Sequence, residues 1–161
     1  MAGKSGKKSW QEKLKESKNL PRVEEITDRM SKRWGSGTVV IPAPSEVDEV
    51  MKQVPRGKLI TMNEIREALA KKHGATIGCP LVTGIFVRVA AHAAEEALAE
   101  GKTGITPYWR TLKSGGELNE KYPGGVEAQA MRLTEEGHII KPGQGKKPPR
   151  VKDFEKYLVE L

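Results

Sequence analysis

Two aromatic residues and an arginine stand directly behind a proline in the stretch PYWRT, residues 107–111. A tryptophan carries a large apolar surface, and an arginine beside it is a favourable stacking partner. The loop that follows contains several glycines and ends in Gly124 and Gly125, where the backbone can approach a ligand closely. Tyr108, Trp109 and Arg110 beside such a loop therefore indicate a candidate ligand-binding site.

Composition narrows the class of ligand and the compartment. The chain has 161 residues and a formal net charge of +7, which predicts one domain with extensions and favours a polyanionic partner such as nucleic acid. Its single cysteine, Cys79, cannot form an internal disulfide, so a reducing compartment fits. A secretory signal has an apolar stretch after its cations, and the lysine-rich start of this chain is followed by none. No run of residues is apolar enough to span a membrane. We therefore expect a cytoplasmic protein.

Metal and cofactor motifs are missing from the sequence pattern. His73, His92 and His138 are scattered, without the spacing of a metal site. The stretch GQGKKPP lacks the strand-to-helix setting of a phosphate-binding loop. The sequence predicts no metal and no cofactor.

Residues 1–44 are predicted to be extensions that precede the main domain. Residues 1–20 are lysine-rich and predict a solvated, partly helical basic tail, and residues 21–44 form an N-terminal extension. In that extension we expect a helix from Pro21 to Gly35 and then a short strand, TVVIP. A Ser45-x-x-Asp48 pattern predicts the start of the next helix.

The middle of the chain predicts a helix-turn-helix. Thr61 and Glu64 form a capping-box pattern that begins a helix ending near His73 and Gly74. After a short turn, a longer helix extends to Gly101. Its predicted buried stripe comprises Val82, Ile85, Phe86, Val89, Ala93 and Ala97. Any two adjacent helices satisfy this pattern, so it does not by itself establish DNA binding.

A basic hairpin follows a further short helix that ends at Gly137. The stretch HIIKPGQGKKPPRV carries Lys146, Lys147 and other cations, and no acid appears before Asp153. A basic hairpin behind a helix-turn-helix is the layout of a winged helix, although a solvated surface loop would give the same pattern. We predict a mainly α fold with small β elements: a winged-helix DNA-binding domain at residues 45–140, then a basic hairpin and terminal helix at 141–161.

Several motifs together resemble the DNA-binding domain of the methylguanine-DNA methyltransferase family. VPRGKLITMNEI, residues 54–65, is similar to its proline-glycine-lysine, strand and helix entry, and the helix containing Gly84 resembles its recognition helix. PYWRT stands where the family has its active-site PCHRV, and residues 121–138, KYPGGVEAQAMRLTEEGH, resemble its Gly-Gly loop and the helix behind it. The resemblance covers a little over half of the chain.

Departures from that family bear on activity. The family transfers an alkyl group from guanine to a cysteine thiolate that a histidine activates and a glutamate orients. Here those positions are Tyr108, Trp109 and Glu136, and a phenol is a far poorer nucleophile toward alkyl carbon than a thiolate. The resemblance therefore implies the alkyltransferase-like branch, which binds damaged DNA without repairing it. That branch usually retains the histidine, so Trp109 is a further departure.

Two more positions differ from the family pattern. The tyrosine that presses on the target phosphate corresponds to Met62, and the arginine that replaces a flipped base corresponds to a position near Leu81. Met62 is more typical of a core residue. An apolar side chain such as Leu81 can also occupy an unstacked base step.

The resulting hypothesis is a non-catalytic protein that binds double-stranded DNA, possesses a pocket for modified guanine and acts in DNA repair. In it, Tyr108 lines the pocket, Trp109 is either pocket wall or core, and Arg110 has a mainly structural hydrogen-bonding role. The candidate nucleic-acid-binding residues are Asn63, Arg88, Tyr108, Trp109, Arg110, Lys113, Tyr122, Gly124, Gly125, Lys146 and Lys147. The alternatives are an enzyme with a relocated site and a regulatory or RNA-associated module that kept only the scaffold.

Overall fold

The computed structural model describes residues 8–161, so Lys4 and Lys7 of the predicted tail lie outside the described residues. The described chain forms six α-helices, seven short strands and two 3₁₀ helices. In order these are α1 (Trp10–Lys15), β1 (Arg22–Glu25), α2 (Asp28–Trp34), β2 (Thr38–Ile41), α3 (Pro44–Lys52), β3 (Ile60–Thr61), α4 (Met62–His73), β4 (Ile77–Gly78), α5 (Pro80–Ala99), a 3₁₀ helix (Tyr108–Arg110), β5 (Thr111–Leu112), α6 (Gly125–Glu135), β6 (Ile140–Lys141), β7 (Arg150–Val151) and a 3₁₀ helix (Phe154–Tyr157). The predicted mainly α fold with small β elements is confirmed.

The segment after Pro21 is a strand, whereas the sequence pattern predicts a helix. β1 pairs antiparallel with β2, which in turn pairs parallel with β4. The helix begins only at Asp28, because the hydroxyl of Thr27 accepts the backbone N–H of Met30 as an N-cap. Hydrophobic periodicity within the segment does not reveal this boundary, because β1 is stabilised by its pairing with β2, which lies further along the chain.

The basic segment before Leu20 contains a helix that is docked on the protein. α1 begins with a capping box between Ser9 and Glu12. The Trp10 ring stacks on His92 of α5, with ring centroids 4.5 Å apart. The predicted partial helix is therefore present, but residues 10–15 pack against α5 and are not simply solvated.

The start of α3 also differs from the prediction. Pro44 occupies its first turn, and the Glu46 carboxylate accepts the backbone N–H of Ala43 at 3.1 Å. Ser45 lies inside the helix. Asp48 is buried and accepts the hydroxyl of Thr106 at 2.6 Å, so it anchors a distant loop.

The helix-turn-helix is formed by α4 and α5. The Thr61 hydroxyl accepts the backbone N–H of Asn63 at 3.2 Å, and Glu64 accepts the Thr61 N–H at 2.7 Å, which confirms the capping box. Gly74 ends α4 in the left-handed conformation, with φ of 64°. Pro80 stands in the first turn of α5, as its fixed φ allows.

The buried face of α5 is rotated from the predicted stripe. Its buried residues are Thr83, Val87, Val89, Ala90, Ala91, Ala93 and Ala94. Ile85 is exposed to 48%, and Leu81, near the helix start, to 70%. The small side chains of the alanines permit close packing with α3 and α1. The alanine-rich face of α5 is therefore buried, and larger apolar residues such as Leu81 and Ile85 are left in solvent.

The second half of the chain supports the loop that contains PYWRT. β3 pairs parallel with β5, which fixes the adjacent 3₁₀ helix beside the strand that leads into α4. β6 and β7 form the expected hairpin, and the N–H of Leu118 donates to Pro149 O at 2.9 Å, which ties the hairpin to the loop before α6. The terminal segment forms one short 3₁₀ turn, Phe154–Tyr157, where the sequence predicts a terminal helix.

Candidate nucleic-acid interface

Tyr108 lies in a cluster of three aromatic rings. Its ring meets those of Trp109 and Tyr122 edge to face, with centroids 5.4 and 5.2 Å away. Only 2% of Tyr108 is exposed. The Pro107 turn and the 3₁₀ helix direct this ring into the main core, so it does not form an open pocket wall in this structure.

A carboxylate and a guanidinium cover the phenol of Tyr108. The Tyr108 hydroxyl donates to Glu95 Oε2 at 2.7 Å, and Arg132 donates to the same oxygen at 2.8 Å. The Arg132 guanidinium lies 4.2 Å from the centroid of the Trp109 ring. Burial, followed by the Glu95 contacts, raises the pKa of Tyr108 far above its usual value of 10. The phenol therefore stays protonated, which disfavours nucleophilic chemistry at this position.

Trp109 and Arg110 converge on Glu136, at the end of α6. The indole N–H of Trp109 donates to Oε2 at 2.8 Å, and the Arg110 guanidinium donates to both carboxylate oxygens. Arg110 also donates to the carbonyl of Val54 at 2.8 Å. Burial favours the neutral acid, but the hydrogen bonds from Arg110 and Trp109 outweigh it and hold the pKa of Glu136 below 4.5. These contacts make Trp109 and Arg110 structural anchors.

The Gly-Gly loop is shaped by its own turn. Gly124 and Gly125 have φ of 79° and 70°, in the left-handed region, and a Cβ on Gly124 would lie 2.6 Å from the Ala128 Cβ. The buried Tyr122 donates its hydroxyl to Thr111 O at 2.9 Å. Tyr122 therefore ties the loop before α6 to β5. The left-handed turn explains why glycines stand at positions 124 and 125, and no bound ligand is needed to explain them.

An open cleft lies beside the exposed face of α5, away from Tyr108. Its volume is about 320 Å³. Its walls comprise Met62, Pro80, Leu81, Gly84, Ile85, Arg88, Lys113, Asn119, Glu120 and Lys121. Arg88, Lys113 and Lys121 supply cations, while Met62, Leu81 and Ile85 supply apolar surface. Lys113 also pairs with Glu120 at 2.9 Å, and that hydrogen bond lowers the pKa of Glu120.

Apart from Gly124 and Gly125, which shape the turn before α6, the predicted site residues separate into three groups. Arg88 and Lys113 line the cleft, and Asn63 stands at the start of α4, where its side-chain oxygen accepts the Ser114 hydroxyl at 3.2 Å. Tyr108, Trp109, Arg110 and Tyr122 belong to the packed interior behind it. Lys146 and Lys147 are exposed in the hairpin.

Sequence reasoning missed Glu95, Arg132 and Lys121. Glu95 and Arg132 cover Tyr108 from two different helices, and no spacing in the sequence connects them. Lys121 directly precedes the YPGG motif, and that adjacency is the one signal in the sequence for its position. In residues 8–161, no three His, Cys, Asp or Glu side chains come together as metal ligands.

No helix within the described part of the chain is long and apolar enough to cross a membrane.

No family model and no curated protein sequence matches the chain. Solved structures with a similar fold include two from S. pombe. One is S. pombe Atl1, an alkyltransferase-like protein, in complex with damaged DNA containing O6-carboxymethylguanine, at 21% identity and a TM-score of 0.52. The other is S. pombe ATL in complex with DNA, at 22% identity and a TM-score of 0.51. Each match covers 73% of this chain and 94% of the other. The chain therefore has the fold of the S. pombe alkyltransferase-like protein.

Proposed function

We propose that the protein binds double-stranded DNA non-covalently, as an alkyltransferase-like protein, and prefers duplexes that carry an O6-alkylated guanine. The observation that carries the proposal is the exposed face of α5, where Leu81 and Ile85 line one cleft together with Arg88, Lys113 and Lys121. Structures of the same fold contain DNA, and in one of them the DNA carries O6-carboxymethylguanine. A role in DNA repair would follow from such a preference.

In this proposal α5 is the recognition helix. The cations of the cleft contact phosphates, which position the protein, while the apolar residues face the bases. Leu81 extends into solvent near the first turn of α5, where a wedge can enter an unstacked base step. Lys146 and Lys147 of the hairpin contact the backbone as a wing.

The cleft is the place we assign to a modified base. An alkyl group on the guanine oxygen weakens base pairing, which lowers the cost of extrusion, and it adds apolar surface. Met62 and Ile85 give that surface a matching wall. Tyr108 contributes indirectly, because its bond to Glu95 of α5 fixes the neighbouring loop against the recognition helix.

The alternatives are less well supported. An active alkyltransferase needs an accessible nucleophile, but Tyr108 is buried and protonated, and Cys79 is buried at the start of α5. The two structures of similar fold both contain DNA, which favours DNA binding over a regulatory or RNA-associated role.

Titration of labelled duplexes that differ at one guanine tests the proposal. We expect at least about tenfold tighter binding to the O6-alkylated duplex, because easier extrusion and added apolar contact together supply about 1.4 kcal/mol or more. Measuring at two salt concentrations separates this preference from general phosphate binding. Equal affinity for both duplexes would leave a DNA-binding scaffold without lesion recognition.

A further inference from the structure

A second and larger groove lies between the docked N-terminal helix and the recognition helix. We call it the arm groove; its volume is about 820 Å³. Trp10 and Lys13 form its α1 side, and Phe86 and Arg88 form its α5 side. The groove exists only because α1 folds back onto α5.

Several contacts hold α1 in that position. Besides the Trp10–His92 stack, the backbone N–H of Gln11 donates to Glu96 Oε1 at 3.0 Å. The Lys102 ammonium donates to the Gln11 side chain at 2.8 Å. Lys13 Nζ stands 4.3 Å from the centroid of the Trp10 ring. These contacts hold the α1 backbone and Lys13 in place, which reduces the conformational entropy cost of binding an anion beside them.

The charges of the arm groove are strongly one-sided. Lys8, Lys13, Lys18 and Arg88 line it together with one carboxylate, Glu16. Glu16 is already paired with Lys8 and lies 3.6 Å from Lys18 Nζ. Excess positive potential therefore remains around Lys13 and Arg88, as a polyanion would require.

The arm groove continues the cleft assigned to the base. Ile85 and Arg88 line both spaces, so one track runs along α5 from Leu81 past Arg88 toward α1. Leu81 and Arg88 are seven residues apart on one helix, which corresponds to about 10 Å along its axis. A strand that meets Leu81 would therefore pass Arg88 and reach α1 within a few nucleotides.

We propose that the arm groove binds the sugar-phosphate backbone of the same DNA duplex, on the flank of the site that the cleft contacts. This inference rests on the proposed function. Lysines and an arginine contact phosphates there, and the apolar surface of Phe86 contacts the sugars. Such contacts do not read base edges. The arm groove therefore increases the affinity and lengthens the stretch of duplex that the protein contacts, but it adds no selectivity for a modified guanine.

A pair of double variants tests this assignment in the full-length protein. Lys13→Ala with Lys18→Asn removes two cations from the groove. Asn suits position 18, where φ is 38°, because it tolerates left-handed backbone. Lys71→Ala with Lys156→Ala is the matched control, since it removes equal charge from exposed positions outside both spaces. Binding is measured over a salt series, with duplexes of about one and about two helical turns.

We expect the affinity of the groove variant for the longer duplex to fall about fivefold or more, with a salt slope smaller by roughly 0.9 for each phosphate that the variant no longer neutralises. It should lose less affinity for the shorter duplex, which supplies fewer flanking phosphates, and it should keep the unaltered protein's ratio between modified and plain DNA. An equal decrease in the control variant, or no decrease in the groove variant, would overturn the assignment and leave the proposed function intact. Absence of duplex binding by the unaltered protein would overturn both.

Discussion

The indole N–H of Trp109 donates to Glu136 Oε2 over 2.8 Å, at the two positions where the methyltransferase resemblance implies a histidine and its orienting glutamate. The hydrogen-bonded pair is thus preserved with a donor that cannot act as a base, because an indole nitrogen does not accept a proton. Arg110 binds the same carboxylate and completes a buried bridge between the PYWRT loop and α6. In this chain the Trp109–Glu136 pair stabilises the fold.

The first prediction is that Glu136→Gln destabilises the fold by about 2–3 kcal/mol at neutral pH, because it leaves the largely buried Arg110 guanidinium without its counter-charge. The side chains of Glu136 and Arg110 are only 4% and 14% exposed, so water compensates little. Denaturant unfolding followed by circular dichroism measures the change. Glu135→Gln, at an exposed neighbouring position, is the control and should change little.

The same variant should show a defined pH dependence. The folded pKa of Glu136 lies below its ordinary value of 4.5, so its stabilising contribution is present above that value and disappears as the pH falls through the folded pKa. The stability gap between the unaltered protein and Glu136→Gln should therefore be constant near neutrality and shrink in acid. A gap that stays constant in acid would contradict the assignment of a charged Glu136.

The second prediction is that the protein does not accept an alkyl group. Burial and Glu95 raise the pKa of Tyr108, and Cys79 is buried where α5 begins. After incubation with O6-methylguanine DNA, the intact mass should be unchanged, while a cysteine alkyltransferase treated in parallel gains one methyl group. A methyl adduct mapped to Cys79 or Tyr108 would show that the protein is an enzyme.

Local signals in the sequence are sufficient for parts of the fold. The capping box at Thr61 and Glu64 needs contacts only three residues apart, and the structure confirms it. The hairpin of β6 and β7 is also recognisable, because its turn residues and its basic composition are contiguous. In each case the determining interactions lie within a few residues of one another.

Features that depend on distant partners are not predictable from one sequence. Tyr108 is expected in a pocket, but its environment is set by Glu95 and Arg132, which the fold brings from two other helices. The Trp10 stack on His92 joins residues far apart in the chain, so the docked arm resembles an ordinary charged tail in the sequence. Periodicity places Ile85 on the buried face of α5 because it treats alanine and larger apolar residues as equivalent, although they pack differently.

The third prediction concerns the hairpin. Lys146→Ala with Lys147→Ala should weaken binding to all duplexes by similar factors and reduce the salt slope, because exposed lysines contact phosphates without reading bases. Fluorescence anisotropy with modified and plain duplexes at several salt concentrations measures both effects. A change in the ratio between the two duplexes, with general affinity intact, would mean that the hairpin reads the lesion directly.

The fourth prediction tests Leu81 as the residue that enters the base stack. Leu81→Ala keeps the helix, since alanine is a strong helix former, but shortens the wedge. We expect the preference for O6-alkylguanine DNA to fall about tenfold, which corresponds to about 1.4 kcal/mol, with a smaller decrease in affinity for plain DNA. Titration of duplexes containing a fluorescent base analogue opposite or beside the guanine would report unstacking directly.

Met131→Ala is the matched control for Leu81→Ala. Met131 lies on α6 and is 67% exposed, close to the 70% of Leu81, but it does not line the cleft. Both variants remove a comparable exposed apolar side chain from a helix, so a general effect on stability or solubility should appear in both. Only Leu81→Ala should reduce the fluorescence increase of the unstacked analogue. If both variants bind modified DNA as the unaltered protein does, Leu81 is not the wedge, and any unstacked base would have to be held by the remaining cleft residues.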